Sequence, residues 1–224
     1  MQFVIDSSRS QVQEVAVEFT RQPLDAHSIV KRLIDIILAA LGLLGTLPIW
    51  IAIAIAIRLD SPGRVIFVQE RVGHRGRTFR FLKFRSMYVD AEARLAELQT
   101  RNEMEGPVFK IRNDPRVTSV GRFLRRTSLD ELPQLINVLM GEMSLVGPRP
   151  ALPAEVACYR PSDAVRLSVK PGLTCLWQVR GRSEVSFDVW MEYDREYISK
   201  RSIWLDLAIM VRTVWVVASC KGAY

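Results

Sequence analysis

Between residues 36 and 57 the chain reads IILAALGLLGTLPIWIAIAIAI, without a single charge. As a helix rising about 1.5 Å per residue, that run covers about 30 Å, the depth of a bilayer's hydrocarbon core. A buried core helix is the alternative that needs no membrane. Polar, mixed-charge text precedes the run, and the run exceeds the apolar stretch of a cleaved export signal, so a secretory signal peptide is not expected. The first 28 residues read as a flexible leader.

Gly42, Gly45 and Pro48 lie near the centre of the run. Proline lacks a backbone donor and crowds the preceding turn, which predicts a kink at Pro48. Lys31 and Arg32 precede the run, and Arg58 and Arg64 follow it. Positive charge on both flanks gives no orientation for a spanning helix and suits a hairpin that enters and leaves by one face. On these residues a kinked spanning helix and a re-entrant hairpin both stand. Near the C-terminus, SIWLDLAIMVRTVWVVASCKGAY is apolar over most of its circumference but interrupted by Asp206 and Arg212, with Trp204 and Trp215 suited to interfacial depth. It is expected to lie on the bilayer surface, with a buried core helix as its rival.

Composition narrows the chemistry. A net charge of +7 suits an anionic partner: nucleic acid, anionic lipid or a phosphorylated substrate. Cys158, Cys175 and Cys220 are odd in number and widely spaced, which points away from disulfides and zinc and toward a reducing cytoplasm. With only His27 and His74, zinc-protease motifs are excluded and a Ser-His-Asp triad is not expected. Any metal would rest on carboxylate and phosphate oxygens, hence Mg2+ or Mn2+.

Past a DSPG turn, RVIFVQERVG and TFRFLKFRSM alternate apolar and polar residues around HRGR, the pattern of a hairpin. DAEARLAELQT predicts a short amphipathic helix, and residues 102–118 read as loop. Farther on come a rigid GPRP turn, a helix near PSDAVRLS, a loop KPGLTCLWQVRGRS, and a helix SFDVWMEYDREYIS. That last helix would align Phe187, Trp190, Met191, Asp194 and Ile198 on one face.

The stretch SLDELPQLINVL, residues 128–139, sets Asp130 beside Glu131 soon after Arg122, Arg125 and Arg126. One account is helix-start chemistry: Ser128 and Glu131 fit a capping box, with Asp130 favoured by the helix dipole, although Pro133 then falls late. The other is catalytic. Three arginines exceed what two acids need, and a diphosphate would supply the missing negative charge. An ionised aspartate is a competent nucleophile at phosphorus, and a divalent cation can neutralise the repelling oxygens.

KFRSM (residues 83–87), RRTSLDELPQLINVLMGEMSLVGPRP (125–150) and KPGLTCLWQVRGRSEVSF (170–187), in that order, resemble the bacterial sugar transferase family, the monotopic polyprenyl-phosphate phosphoglycosyl transferases. The likeness runs from about Lys31 to the C-terminus and is strongest for the short exopolysaccharide-initiating enzymes. It implies an α-rich α/β fold with a kinked re-entrant membrane hairpin over residues 29–58. Residues 59–224 would form a small cytoplasmic catalytic domain with interfacial helices, held at the bacterial inner membrane. It also implies that Asp130 attacks the sugar-bearing phosphate of a UDP-sugar, expels UMP and passes the sugar phosphate to undecaprenyl phosphate. Glu131 assists, and Mg2+ is bound by Asp130.

By position, Lys83, Arg125, Arg149, Arg182 and Asp194 match family residues assigned to the phosphate, nucleotide or substrate. Their plainer readings are a solvated strand lysine for Lys83, a turn-pinning arginine for Arg149, a lipid contact for Arg182, and for Asp194 an acid that needs a partner on an apolar face. The family often has serine before the membrane proline; here Leu47 precedes Pro48, and Thr46 is the nearest hydroxyl. The transferred sugar is expected to be a hexose, glucose or galactose. Oligomeric state stays open, with a homodimer as one candidate. The rival readings are a catalytically silent membrane scaffold for anionic lipid or assembly partners, and a tethered nucleic-acid binder, for which no recognisable motif is present.

Overall fold

The computed structural model describes residues 26–104, 106–181 and 185–219. The expected leader therefore lies, up to residue 25, outside the described residues, as does Arg182.

Helix α1, Ala26–Asp60, is 35 residues long with Pro48 inside it, and the helical assignment runs unbroken across the proline. Only 11% of its most apolar 18-residue window is buried, which removes the core-helix alternative for this segment. It is long and apolar enough to cross a membrane. Yet both arms pack on the same domain. On the first arm Arg32 donates to the carbonyls of Val138 and Leu139, Asp35 accepts from Leu145 N at 3.0 Å, and Ala39 is fully buried. On the second, Trp50 meets Phe84 edge-on at 5.0 Å, and Ile53 and Ile57 join Phe84 and Leu124 in one cluster. Between the arms Leu41, Leu44, Leu47 and Ile51 stay exposed. The Thr46 hydroxyl donates to Gly42 O at 2.6 Å and accepts from Trp50 Nε1 at 3.1 Å. It thus serves a carbonyl earlier than that of Leu44, the one deprived by Pro48.

Strands β1 (Ile66–Val72) and β2 (Thr78–Phe84) form the predicted antiparallel hairpin, closed by a 3-10 turn over His74–Gly76. Alternation puts Phe81 and Lys83 on one face of β2 and Phe84 on the other; the two phenylalanines are buried in different clusters, while Lys83, opposite Phe67, stays half-buried. The helix expected over DAEARLAELQT shrinks to α2, Leu95–Leu98, followed by a 3-10 turn. None of those residues is buried, so no packing extends the helix beyond its four residues.

Helix α3, Ser119–Thr127, starts at Thr118, whose hydroxyl accepts from Gly121 N at 3.0 Å. Helix α4 is Gln134–Met140, ended by Gly141 at φ 83°. Strands β3 (Ser144–Val146) and β4 (Gly172–Thr174) pair in parallel. Between them come α5 (Pro153–Val156) and a 3-10 helix, Ala164–Ser168, where a helix was predicted. The predicted loop after Lys170 holds β4 and α6, Leu176–Arg180, instead. Burial explains the difference: Cys175, Leu176 and Trp177 are core residues, which a polar reading of the flanking Gly and Arg obscured. Helices α7 (Phe187–Lys200) and α8 (Ile203–Ala218) start at the serine caps Ser186 and Ser202.

Helix α8 buries Asp206 and Ile209 and exposes Trp204, Val211, Val214 and Trp215. Its inner face joins Ala39 of α1, Phe81 of β2, Val138 of α4 and Val146 of β3 in the main core. Asp206 is not an interruption but a fastening: it pairs with Lys31 at 2.6 Å and accepts from Tyr197 Oη at 2.8 Å. The product is a mixed, helix-rich α/β domain in which Lys31 and Asp206 tie the start of α8 to the start of α1.

Candidate active site

The expected capping box does not form. Ser128 takes the left-handed conformation (φ 57°) that ends α3, and its side chain caps nothing in the 3-10 turn that follows. Asp130 and Glu131 lie in that turn, Leu129–Glu131, while α4 begins only after Pro133. Pro133 is thus compatible with the helix, and the two acids sit on a tight corner between helices.

The corner faces β2 and the GPRP turn. Glu131 Oε1 is 3.0 Å from Lys83 Nζ and accepts from both Arg149 Nη1 and Nη2 at 3.0 Å. Asp130 has one ion-pair partner among the described residues, the same Lys83 ammonium, at 3.6 Å. Arg125 turns inward, anchored by its Nε to Ser86 Oγ at 2.9 Å, within electrostatic reach of Asp130. Arg122 and Arg126 instead remain exposed on the outer face of α3. The basic residues of the site therefore come from three segments, and the run of three arginines contributes one.

The two carboxyls are driven apart in acidity. Burial pushes Asp130 above the ordinary carboxylate range; Lys83 counters this and the Glu131 charge adds to it. Burial acts on Glu131 in the same direction, but Lys83 and Arg149 outweigh it and hold that group down at about 2. Arg125 is lowered by burial, against the attraction of Asp130. Lys110, also buried and repelled by Arg149, falls to about 8. Lys83, Arg125 and Arg149 face two carboxylates, leaving one positive charge for an incoming anion.

Among the described residues no group of three or more His, Cys, Asp or Glu side chains could hold a metal. Asp130 alone offers lightly engaged oxygens, since Glu131 is claimed by its two basic partners. That fits Mg2+, which keeps water and substrate phosphate oxygens around one or two carboxylates.

Arg149 leaves its turn to reach Glu131, so pinning the turn falls to others. Gly147 N donates to Thr174 O, Gly172 N donates to Pro148 O, and Arg71 Nη1 donates to Pro150 O at 3.1 Å. Asp194, 1% exposed, is ion-paired to Arg166 at 2.9 Å, and burial lifts its carboxyl to about 6 despite that partner. The approach is off line for a hydrogen bond, and Asp194 Oδ2 has no other described partner. Sequence reasoning missed Arg166, Arg71 and Ser86. Nothing in PSDAVRLS, read as an ordinary polar helix, marks its arginine.

Residues 26–220 match the family described as bacterial sugar transferase. The chain belongs to the bacterial sugar transferase family. Within it, the galactosyl transferase CpsE of Streptococcus agalactiae is 48% identical over 199 residues, covering 88% of this chain and 44% of that protein. The UDP-glucose:undecaprenyl-phosphate glucose-1-phosphate transferase of Escherichia coli is 44% identical, covering 88% of this chain and 42% of that protein. The exopolysaccharide production protein ExoY of Rhizobium meliloti is 39% identical, covering 87% and 88% respectively. This bacterial sugar transferase thus spans less than half the length of several curated relatives it matches.

Proposed function

We propose that the chain transfers a hexose 1-phosphate, glucose or galactose, from a UDP-sugar to undecaprenyl phosphate, beginning an exopolysaccharide repeat unit at the cytoplasmic face of the inner membrane. An Asp130 carboxylate oxygen attacks the sugar-bearing phosphorus, and the bond from that phosphorus to the UMP oxygen breaks. A phosphate oxygen of undecaprenyl phosphate then attacks the same phosphorus and restores the aspartate. The observation that carries this reading is the unequal bonding of the dyad: Glu131 is held by three donors, whereas Asp130 keeps oxygens to share.

Lys83, Arg125 and Arg149 bind and orient the diphosphate, and their fixed positions replace the reorganisation that water would require. Arg182, matched to a family arginine near the phosphate or nucleotide, is assigned to the same donor. Mg2+ (or Mn2+), held by Asp130 with the substrate's own oxygens, would supply neutralisation of the phosphate charge. The names of the relatives support the donor and acceptor assignments.

Both arms of α1 pack on one domain, which supports a re-entrant segment over a spanning one, and α8 supplies the interfacial face. That arrangement would bring a soluble donor and a lipid phosphate to one surface. Measuring UMP release across a panel of UDP-sugars, with polyprenyl phosphate and Mg2+, tests the reading. Release with UDP-glucose or UDP-galactose is expected; none with any UDP-hexose would leave a membrane scaffold.

A further inference from the structure

We propose that Arg166, held by Asp194, is a positioning residue that fixes Arg149 against the dyad, so that Asp194 acts on the reaction through this arginine pair rather than by touching substrate. The inference rests on the transfer reaction above. Arg166 Nη2 donates to the backbone carbonyl of Arg149 at 2.8 Å, Nη1 donates to Tyr159 Oη at 2.6 Å, and Asp194 Oδ2 lies 2.9 Å from Nη2. From Arg149 the chain of contacts continues through Glu131 Oε1 to Lys83, 3.6 Å from Asp130.

The other ties on the turn hold its glycine and prolines: Gly147, Pro148 and Pro150. Arg166 alone, among the described side chains, holds the peptide of Arg149 itself, and therefore the point from which the guanidinium reaches Glu131. Arg166 and Asp194 are 7% and 1% exposed. A buried ion pair is weak evidence of stability, because apolar residues of similar volume commonly serve as well. A guanidinium fork, by contrast, presents planar donors in fixed directions to a carbonyl, a hydroxyl and a carboxylate, a geometry that lysine's compact ammonium does not reproduce and an apolar residue lacks. Asp194 neutralises that fork without lying on any exposed surface.

The test measures kcat and KM for UMP release in Arg166→Lys, Asp194→Asn and Tyr159→Phe, each also on an Arg149→Lys background. Arg166→Lys keeps the charge opposite Asp194, and Tyr159→Phe removes one hydroxyl without opening a cavity, so a thermal melt in detergent should show both folded. Loosening Arg149 by about 1 Å is expected to lower kcat about 10- to 100-fold for Arg166→Lys and Asp194→Asn, and less for Tyr159→Phe. KM for the UDP-sugar should stay within about 2-fold, and on the Arg149→Lys background the further loss in kcat should shrink to about 2-fold. Losses that multiply on that background, an unchanged kcat in Arg166→Lys, or a raised KM with intact kcat in Asp194→Asn would overturn the proposal. A wild type that releases no UMP removes the reaction and the relay together; an active wild type with unaffected variants removes the relay alone.

Discussion

Lys83 Nζ lies 3.0 Å from Glu131 Oε1 and 3.6 Å from Asp130 Oδ2. One ammonium on β2 therefore serves both acids unequally, and Arg149 widens the inequality by adding two hydrogen bonds to Glu131 alone. Under the proposed transfer, this geometry would give two neighbouring carboxyls different tasks: Glu131 a fixed anion that orients cations, Asp130 the nucleophile.

Asp130→Asn should abolish the covalent phosphosugar and lower UMP release at least about 1000-fold, while the protein stays membrane-bound. Intact-mass spectrometry after incubation with UDP-sugar reads this directly. An adduct on the variant would move the nucleophile elsewhere.

The shifted acidities set a pH dependence. In the proposed reaction Asp130 must be ionised to attack, and burial raises its pKa above the usual carboxylate value of 3.8. Adduct formation should then decline, as the solution is acidified, at a pH above 3.8. Glu131 behaves oppositely: held at about 2 against an ordinary 4.5, it contributes stability that is fully present above 4.5 and lost as pH falls toward 2. The contribution is on the order of 3 kcal/mol. Melting temperature against pH should therefore fall less steeply in Glu131→Gln than in the wild type over that window.

Gly121 lets α3 rest on the end of β2. A Cβ there would lie 2.0 Å from Ser86 O, a backbone atom that cannot step aside. Gly121→Ala should cost about 3 kcal/mol despite alanine's higher helix propensity. It should also displace Arg125, whose Nε is tied to Ser86, so activity should fall more than the loss of folded protein explains. Denaturation in detergent, paired with specific activity, checks both.

Asp206 joins α8 to α1 through Lys31 and to α7 through Tyr197. Asp206→Ala leaves the part-buried Lys31 ammonium without its ion-pair partner and takes one of two acceptors from the Tyr197 hydroxyl, which keeps Val146 O, at a cost of about 3 kcal/mol. Truncating Trp204, exposed on the opposite face of α8, should leave the melting temperature nearly unchanged and weaken liposome association instead.

If α1 enters and leaves by one face, Ser28→Cys and Pro62→Cys, each in a background lacking the native cysteines, should react with a membrane-impermeant thiol reagent from the same, cytoplasmic side. Labelling from opposite sides would establish a spanning helix.

The charge-free run, the β-hairpin alternation and the acid pair of SLDELPQ were legible in the amino-acid order because each depends on neighbours close in the chain: hydropathy over one helix, period two over one hairpin, two adjacent residues. The residue set Asp130, Glu131, Lys83 and Arg149 came from resemblance, and the fold brings those four together. Local order could not decide which of Arg122, Arg125 and Arg126 turns inward. That depends on Gly121 docking against Ser86, a contact between segments some 35 residues apart.

Nor could it separate a capping box from a tight corner that faces Lys83 and Arg149, because Ser128 and Glu131 satisfy the local pattern either way. The left-handed turn at Ser128 and the distant cations Lys83 and Arg149 drew Glu131 out of the helix-start role. Arg166 was equally unreadable, since its meaning lies in a carbonyl 17 residues back and a carboxylate on another helix. Periodicity along the chain thus determined the long apolar helix, the β-hairpin and the helix that starts at Phe187, but not the short elements α2, β3, β4 and α6. Charge placement was decided by tertiary packing, because electrostatic free energy depends on distance and burial in space and not on separation along the sequence.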